Sequence, residues 1–277
     1  NAPNENPVEE SLWVEAAERA DSLGVDIINS SLGYKTYDNP NYTHSDSDLD
    51  GLTTYISKGA NIAFEKGMLI VNSAGNAGAN GLNAPADAAG VFTIGAVDAD
   101  REYAYFSSVG SMFQPTQKPD VVTQGEASYI IRRNNTIGTA NGTSFSSPIM
   151  AGALACLWQA LPDLSNTEIM QLVRETASQY NSPDYFLGYG IPNLALALSQ
   201  VLSIEEIENA QTHIRVYPNP AYHAVHISLP STEKQVQIIV YNILGKKVLV
   251  IQLSESSTID VSSLSKGVYL LKMETQN

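Results

Sequence analysis

Gly142-Thr143-Ser144-Phe145-Ser146-Ser147-Pro148-Ile149-Met150-Ala151-Gly152-Ala153-Leu154-Ala155-Cys156-Leu157-Trp158-Gln159-Ala160-Leu161 decides how this chain is read. Residues 145–161 are apolar almost all round, which predicts a helix buried in the centre of a domain rather than one lying on its surface. The polar lead-in puts Ser144 at the helix N-terminus, where free backbone N–H groups and the positive end of the helix dipole stabilise an anion. Gly142 allows close approach of a substrate, and Pro148 is tolerated in the first turn, where its missing N–H would have had no partner. A hydroxyl in that setting suits acyl transfer. Cys156, the only cysteine, reads as a small buried hydrophobe. A lone cysteine also excludes an intrachain disulfide and a multi-cysteine zinc site.

Upstream, helical and apolar segments alternate. Residues 9–23 form an amphipathic helical pattern, with Leu12, Ala16, Ala20 and Leu23 on one face and Gly24 as the stop. Residues 25–32 read as a short buried strand, 52–66 as a helix closed by Gly67, and 68–73 and 91–97 as apolar strands. Helix, glycine and unalternating apolar strand in succession are the signature of a parallel sheet covered on both faces, so this unit is α/β. Downstream, Ser165 and Glu168 have capping-box spacing ahead of a peripheral helix over 169–177. A polar, acidic stretch at 204–212 reads as a linker. Beyond it, β-type runs at 214–217, 225–229, 236–241, 247–253 and 267–273 are separated by turn residues, as in a small all-β sandwich. The expected division is 1–203, a linker at 204–213, and 214–277.

The chain has 277 residues and a formal charge of -14, which repels nucleic-acid phosphates and anionic membranes. No nucleic-acid partner is expected. No run approaches the roughly 18 uninterrupted apolar residues of a membrane span. The start of the chain lacks the basic and apolar regions of a signal peptide, so an export signal is expected upstream.

Gly-Thr-Ser-x-Ser-x-Pro followed by a small-residue apolar helix resembles the nucleophile motif of the subtilases, the subtilisin-like serine endopeptidases. The resemblance implies that Ser144 is the catalytic serine, with Thr143 beside it in the substrate site. Val71-Asn72-Ser73-Ala74-Gly75-Asn76 is similar to the Ala-Gly-Asn segment of that family. It implies that Gly75 borders the substrate and that Asn76 and the Ser144 N–H stabilise the oxyanion; a donor of this kind contributes about 3 kcal/mol. Ile27-Ile28-Asn29-Ser30-Ser31-Leu32-Gly33 resembles the Ser-Leu-Gly edge. By that likeness Ser31, Leu32 and Gly33 bind the substrate main chain, as exposed edges bind extended peptides. Residues 91–97 and 104–109 match intervening stretches, and the likeness spans about 24–198. It implies a subtilisin-like parallel sheet with helices on both faces, incomplete at its N-terminal side.

The family chemistry also requires a histidine base and an aspartate that orients it. In subtilases both lie in Asp-Ser/Thr-Gly and His-Gly-Thr motifs upstream of these segments, and neither motif occurs here. His44 sits in a polar loop, and His213, His223 and His226 lie in or beside the terminal β region; none is assigned as the base. The chain is therefore expected to supply nucleophile and oxyanion hole, to lack the triad Asp and His, and to be inactive alone, because loss of the base costs many orders of magnitude.

Asp46-Ser47-Asp48-Leu49-Asp50-Gly51 opens like a calcium loop, but Ser57 occupies the twelfth position where a bidentate Glu is needed. The reaction class requires no cofactor. Structural calcium, common in subtilases, has no assignable ligands here. The sequons at Asn41 and Asn141 read as chance matches, the second because a glycan there would obstruct the Ser144 motif. Tyr217-Pro218-Asn219-Pro220, Tyr241-Asn242-Ile243-Leu244-Gly245-Lys246 and Gly267-Val268-Tyr269-Leu270-Leu271-Lys272 together resemble the C-terminal sorting domains of the type IX secretion system of Bacteroidetes-like bacteria. That resemblance implies a secreted or cell-surface protein whose partners are a protein or peptide substrate and the secretion machinery. The alternative is a non-catalytic cell-surface binding protein on a subtilase scaffold.

Overall fold

A computed structural model describes residues 5–201, 215–229 and 236–275. The chain divides into two compact units, Asn1–Leu198 and Ser199–Asn277. The expected linker at 204–213 lies outside the described residues.

The first unit is built on a four-stranded sheet of order β1-β2-β3-β4, all parallel: β1 (Ile27–Ser30), β2 (Leu69–Ser73), β3 (Val91–Val97) and β4 (Val121–Gln124). Strands β2 and β3 are buried at every position, which is why their sequences carry no polar alternation. β1 departs from the expectation of a buried strand. It is half-buried because it pairs on one side only, with β2.

One face of the sheet is covered by α1 (Val8–Ser22) and α2 (Tyr55–Glu65), whose Trp13, Ala17, Ile56 and Ala60 join Ile70 and Val91 in one cluster. The buried face of α1 is Glu10, Trp13 and Ala17, and Leu12 and Leu23 are exposed, so the expected face is rotated by one residue. Polar bonds set this rotation. The Trp13 indole N–H donates to Ser30 Oγ at 3.1 Å, and the buried Glu10 carboxylate accepts from the Tyr37 hydroxyl and from the Ile56 N–H at 3.0 Å.

Helix α3 (Thr143–Ala160) contacts all four strands and buries Met150, Ala151, Leu154 and Leu157. Its other side, Pro148, Ile149, Gly152, Ala155 and Cys156, is exposed, so the helix is not buried all round and Cys156 is not a core residue. A helix with no polar face cannot announce which side meets solvent; that depends on which neighbours are present. Helix α4 (Asn166–Glu175) has its capping box in full, with Glu168 Oε2 accepting from the Ser165 N–H at 2.7 Å and Ser165 Oγ from the Glu168 N–H at 3.3 Å.

A buried ion cluster ties α4 to the sheet. Asp120, fully buried, accepts from Lys118 Nζ at 2.8 Å, Arg174 Nε at 2.9 Å and the Thr93 N–H at 2.7 Å. Burial alone would raise the Asp120 carboxyl, but Lys118 and Arg174 overcome it and hold the group below the usual carboxylate range. An antiparallel hairpin, β5 (Ser128–Ile131) with β6 (Ile137–Ala140), feeds directly into α3 and has no counterpart among the sequence expectations.

In the second unit, β7 (Arg215–Tyr217), β8 (Ala224–Ser228) and β11 (Ser257–Asp260) make one sheet, and β9 (Val236–Asn242), β10 (Lys247–Leu253) and β12 (Tyr269–Thr275) another. Ile227 and Ile259 from the first sheet and Val236, Ile238, Val240 and Leu253 from the second share one core, so the unit is a sandwich. Among the described residues it contains no helix.

The two sides of α3 should respond differently to substitution. Leu154→Ala should cost about 2–5 kcal/mol of stability, whereas Cys156→Ser should change it by less than about 0.5 kcal/mol; denaturant melts and native-state thiol labelling of Cys156 check both. Because the folded carboxyl of Asp120 lies below its ordinary value, its contribution is present above about pH 4 and lost as pH falls through the folded value. Asp120→Asn should lower stability at neutral pH by about 3–5 kcal/mol, by stranding buried cations. It should also lose less than the parent between pH 7 and 3, as urea melts at the two pH values will show.

Candidate active site

At the carboxyl end of β2 the chain turns at Gly75, whose φ of +107° disfavours a side chain and where a Cβ would lie 2.8 Å from Ser108 Oγ. Asn76 follows. Its Oδ1 accepts from the Thr143 N–H at 2.8 Å and from Thr143 Oγ1 at 3.0 Å. Thr143 Oγ1 in turn accepts from the Gly75 N–H at 3.1 Å. With Oδ1 held twice by one residue, Nδ2 is the end of the Asn76 amide left to donate. It lies beside Gly142, where a Cβ would come within 3.5 Å of it and where φ is +150°.

Ser144 is therefore one residue past this clamp, in the first turn of α3, and its N–H has no intrahelical acceptor. That turn is fixed from several directions. Ser31 Oγ donates to the Ser144 carbonyl at 3.2 Å, Ser147 Oγ to Asn29 Oδ1 at 2.8 Å, Thr123 Oγ1 to the Ser146 carbonyl at 2.8 Å, and the Gly142 N–H to the Gly125 carbonyl at 2.9 Å. The arrangement is neutral hydroxyls and amides at the positive end of an 18-residue helix. It can stabilise negative charge developing beside Ser144.

The Ser31-Leu32-Gly33 segment lies between the β1 ladder, which ends at the Ser30–Asn72 pair, and an antiparallel bridge in which Tyr34 and Ala84 exchange N–H donors at 2.8 and 3.0 Å. Ser31 and Gly33 make no backbone–backbone hydrogen bond among the described residues. A Cβ at Gly33 would sit 2.8 Å from Asn83 Cβ, and one at Gly75 3.9 Å from Asn83 Cγ. Asn83 thus stands between the two segments, and sequence reasoning had not singled it out. Ser107 and Ser108 are further contributors: Ser108 Oγ accepts from the Ala77 N–H at 3.1 Å, which shapes the Asn76 turn, and Ser107 Oγ from the Ala96 N–H of β3 at 3.0 Å. Their signal is the matching stretch at 104–109, which assigns them no role.

The histidines are placed elsewhere. His44 Nε2 lies 2.6 Å from Glu10 Oε1, and its ring stands edge-on to Tyr37, whose hydroxyl is pushed well above its ordinary value by burial and by the bond to Glu10. His223 and His226 belong to the second unit, His226 Nδ1 being 3.1 Å from Thr258 Oγ1. His213 lies outside the described residues. No described histidine bonds to Ser144.

The carboxylates of the 46–51 loop all have partners within the protein. Asp46 pairs with Lys35 at 2.7 Å, Asp48 accepts from Ser45 N–H and Oγ, both at 2.7 Å, and Asp50 accepts from the Leu52 and Thr53 N–H groups at 2.8 and 2.7 Å. Asp48 and Asp50 serve their own turn while Asp46 pairs across to Lys35, and among the described residues no three acidic, histidine or cysteine side chains converge.

The subtilase family profile matches residues 1–190, and that of a secretion-system C-terminal sorting domain matches residues 215–277. Subtilisin DY of Bacillus licheniformis is 31% identical over 191 residues, which is 68% of this chain and 62% of that protein. Subtilisin Savinase of Lederbergia lenta is 31% identical over 142 residues, 51% of this chain and 50% of that protein. Among solved structures, the self-cleaved protease domain of PatA matches with a TM-score of 0.56 and 23% identity, over 69% of this chain and 67% of that one. Sphericase matches at 0.53 and 24%, over 66% and 62%. At these identities the structural matches speak for the fold, and the chain spans about 62% of the length of Subtilisin DY. Among the described residues no helix is long and apolar enough to cross a membrane. A C-terminal type IX sorting domain indicates a secreted or cell-surface protein. The chain belongs to the subtilase family.

Proposed function

We propose that this chain carries the nucleophile and oxyanion hole of a secreted serine endopeptidase, and that the triad histidine and aspartate come from residues outside this sequence. The observation that carries the reading is the Asn76–Thr143 clamp, which turns the free amide donor of Asn76 toward the start of α3, where Ser144 stands. In this scheme Ser144 Oγ attacks the scissile carbonyl while the external histidine takes its proton. The Ser144 N–H and Asn76 Nδ2 receive the oxyanion, and collapse expels the amine, which takes the proton back from the histidine, and leaves an acyl ester on Ser144. Water, deprotonated by the same base, then releases the acid. Ser31 and Gly33 hold the peptide main chain, flanked by Leu32, Gly75 and Thr143. The reaction needs no cofactor.

Two features support an external base. The exposed face of α3 presents Pro148, Ile149, Gly152, Ala155 and Cys156 in one stripe that begins a single turn beyond Ser144, and no strand among the described residues pairs with the outer edge of β1. A helix and a strand from a complementing segment would cover both. The sorting domain's partner is the secretion machinery.

A fluorophosphonate probe should label the full-length gene product, neither its Ser144→Ala variant nor this chain alone reacting. A folded full-length protein that stays unlabelled would transfer the function to the surface-binding alternative. In the active protein, Asn76→Ala should lower kcat by about 10²–10³ with little change in KM, measured on a peptide substrate.

A further inference from the structure

We propose that Asn72 is a positioning residue for the substrate edge, holding Leu32 inward so that Ser31 and Gly33 turn their main-chain groups to an extended peptide. The inference deepens the protease reading and rests on it.

Asn72 is fully buried in β2, in a strand otherwise composed of Leu69, Ile70, Val71 and Ser73. Its Nδ2 donates to the Leu32 carbonyl at 3.1 Å and to the Ser73 carbonyl at 2.8 Å. Both partners are pure acceptors, so the amide can point only this way. The consequence is that Oδ1, buried and without a hydrogen-bond partner, is stranded. An unmet buried acceptor is destabilising, and a leucine of similar size would fill the same space without one. What the amide alone supplies are the donors to Leu32 and Ser73, and of these only the bond to Leu32 crosses to the neighbouring segment.

That donor acts where the backbone stops holding itself. The parallel ladder ends at Ser30–Asn72, and the next main-chain pairing is Tyr34 with Ala84. Across residues 31–33 the Asn72 side chain substitutes for the missing ladder bond. Along an extended run, the main-chain groups of alternate residues face opposite sides. Drawing the Leu32 carbonyl toward β2 therefore turns Ser31 and Gly33 outward, and neither has another backbone partner among the described residues. The same side chain reaches Ser73, three residues before Asn76, so peptide edge and oxyanion strand share one spacer.

The test uses the full-length gene product with Asn72→Leu and Asn72→Asp, compared on a tetrapeptide amide, a single-residue ester with no further main chain to pair along residues 31–33, and a fluorophosphonate. The expected result is a KM for the tetrapeptide raised about tenfold with kcat nearly unchanged. Ester hydrolysis and fluorophosphonate labelling should stay within about twofold of the parent. Labelling also reports that each variant is folded around Ser144. Equal losses on ester and peptide, a matching fall in labelling, or an unchanged tetrapeptide KM would overturn the assignment while leaving the protease reading intact. A parent protein that does not label at all would remove both.

Discussion

The hydroxyl of Thr143 is the hinge of the structure. It donates to Asn76 Oδ1 and accepts from the Gly75 N–H, while the neighbouring Thr143 N–H also reaches Asn76. These three bonds join the carboxyl end of β2 to the first turn of α3, elements separated by more than sixty residues of chain. Without them the turn after β2 and the start of the helix would be adjacent only through side-chain burial, which is non-directional. With them, the direction of the Asn76 amide follows from the position of α3.

The two ion clusters of the first unit are built from residues other than those of this junction. Lys118, Asp120 and Arg174 bind α4 to the sheet, and Glu10 gathers Tyr37, His44 and the N-terminus of α2. Both clusters secure the frame, and each holds its ions where desolvation makes an unpaired partner costly. The Ser144 neighbourhood is left with neutral donors and a helix dipole, a setting suited to charge that appears only during reaction. In a parallel sheet, the strand ends and helix starts converge at one rim, and here Ser31, Asn76 and Ser144 occupy that rim together.

The second unit follows different rules. Its strands pair antiparallel, and Ile227, Val236, Ile238 and Ile259 form a core of its own. The two profiles match separate residue ranges, in keeping with a catalytic-type unit and an export-recognition unit that share one chain.

Local sequence determined much of this. Unalternating runs such as Val91–Val97 could only be interior strands, Ser165 and Glu168 could be read as a cap three residues apart, and the order of the Ser-Leu-Gly, Gly-Asn and Gly-Thr-Ser segments was enough for the family. What depended on distant partners was not legible. The buried face of α1 turned on bonds from Trp13 to Ser30 and from Glu10 to Tyr37, and Cys156 proved exposed because a uniformly apolar helix does not encode which side its neighbours cover. Asn72 and Asn83 passed as ordinary strand and loop residues, since Leu32 lies forty positions from Asn72 and Gly33 fifty from Asn83. Periodicity is a property of neighbours in the chain, whereas the aim of an amide is a property of neighbours in space; the first was written in the sequence, and only the folded structure decided the second.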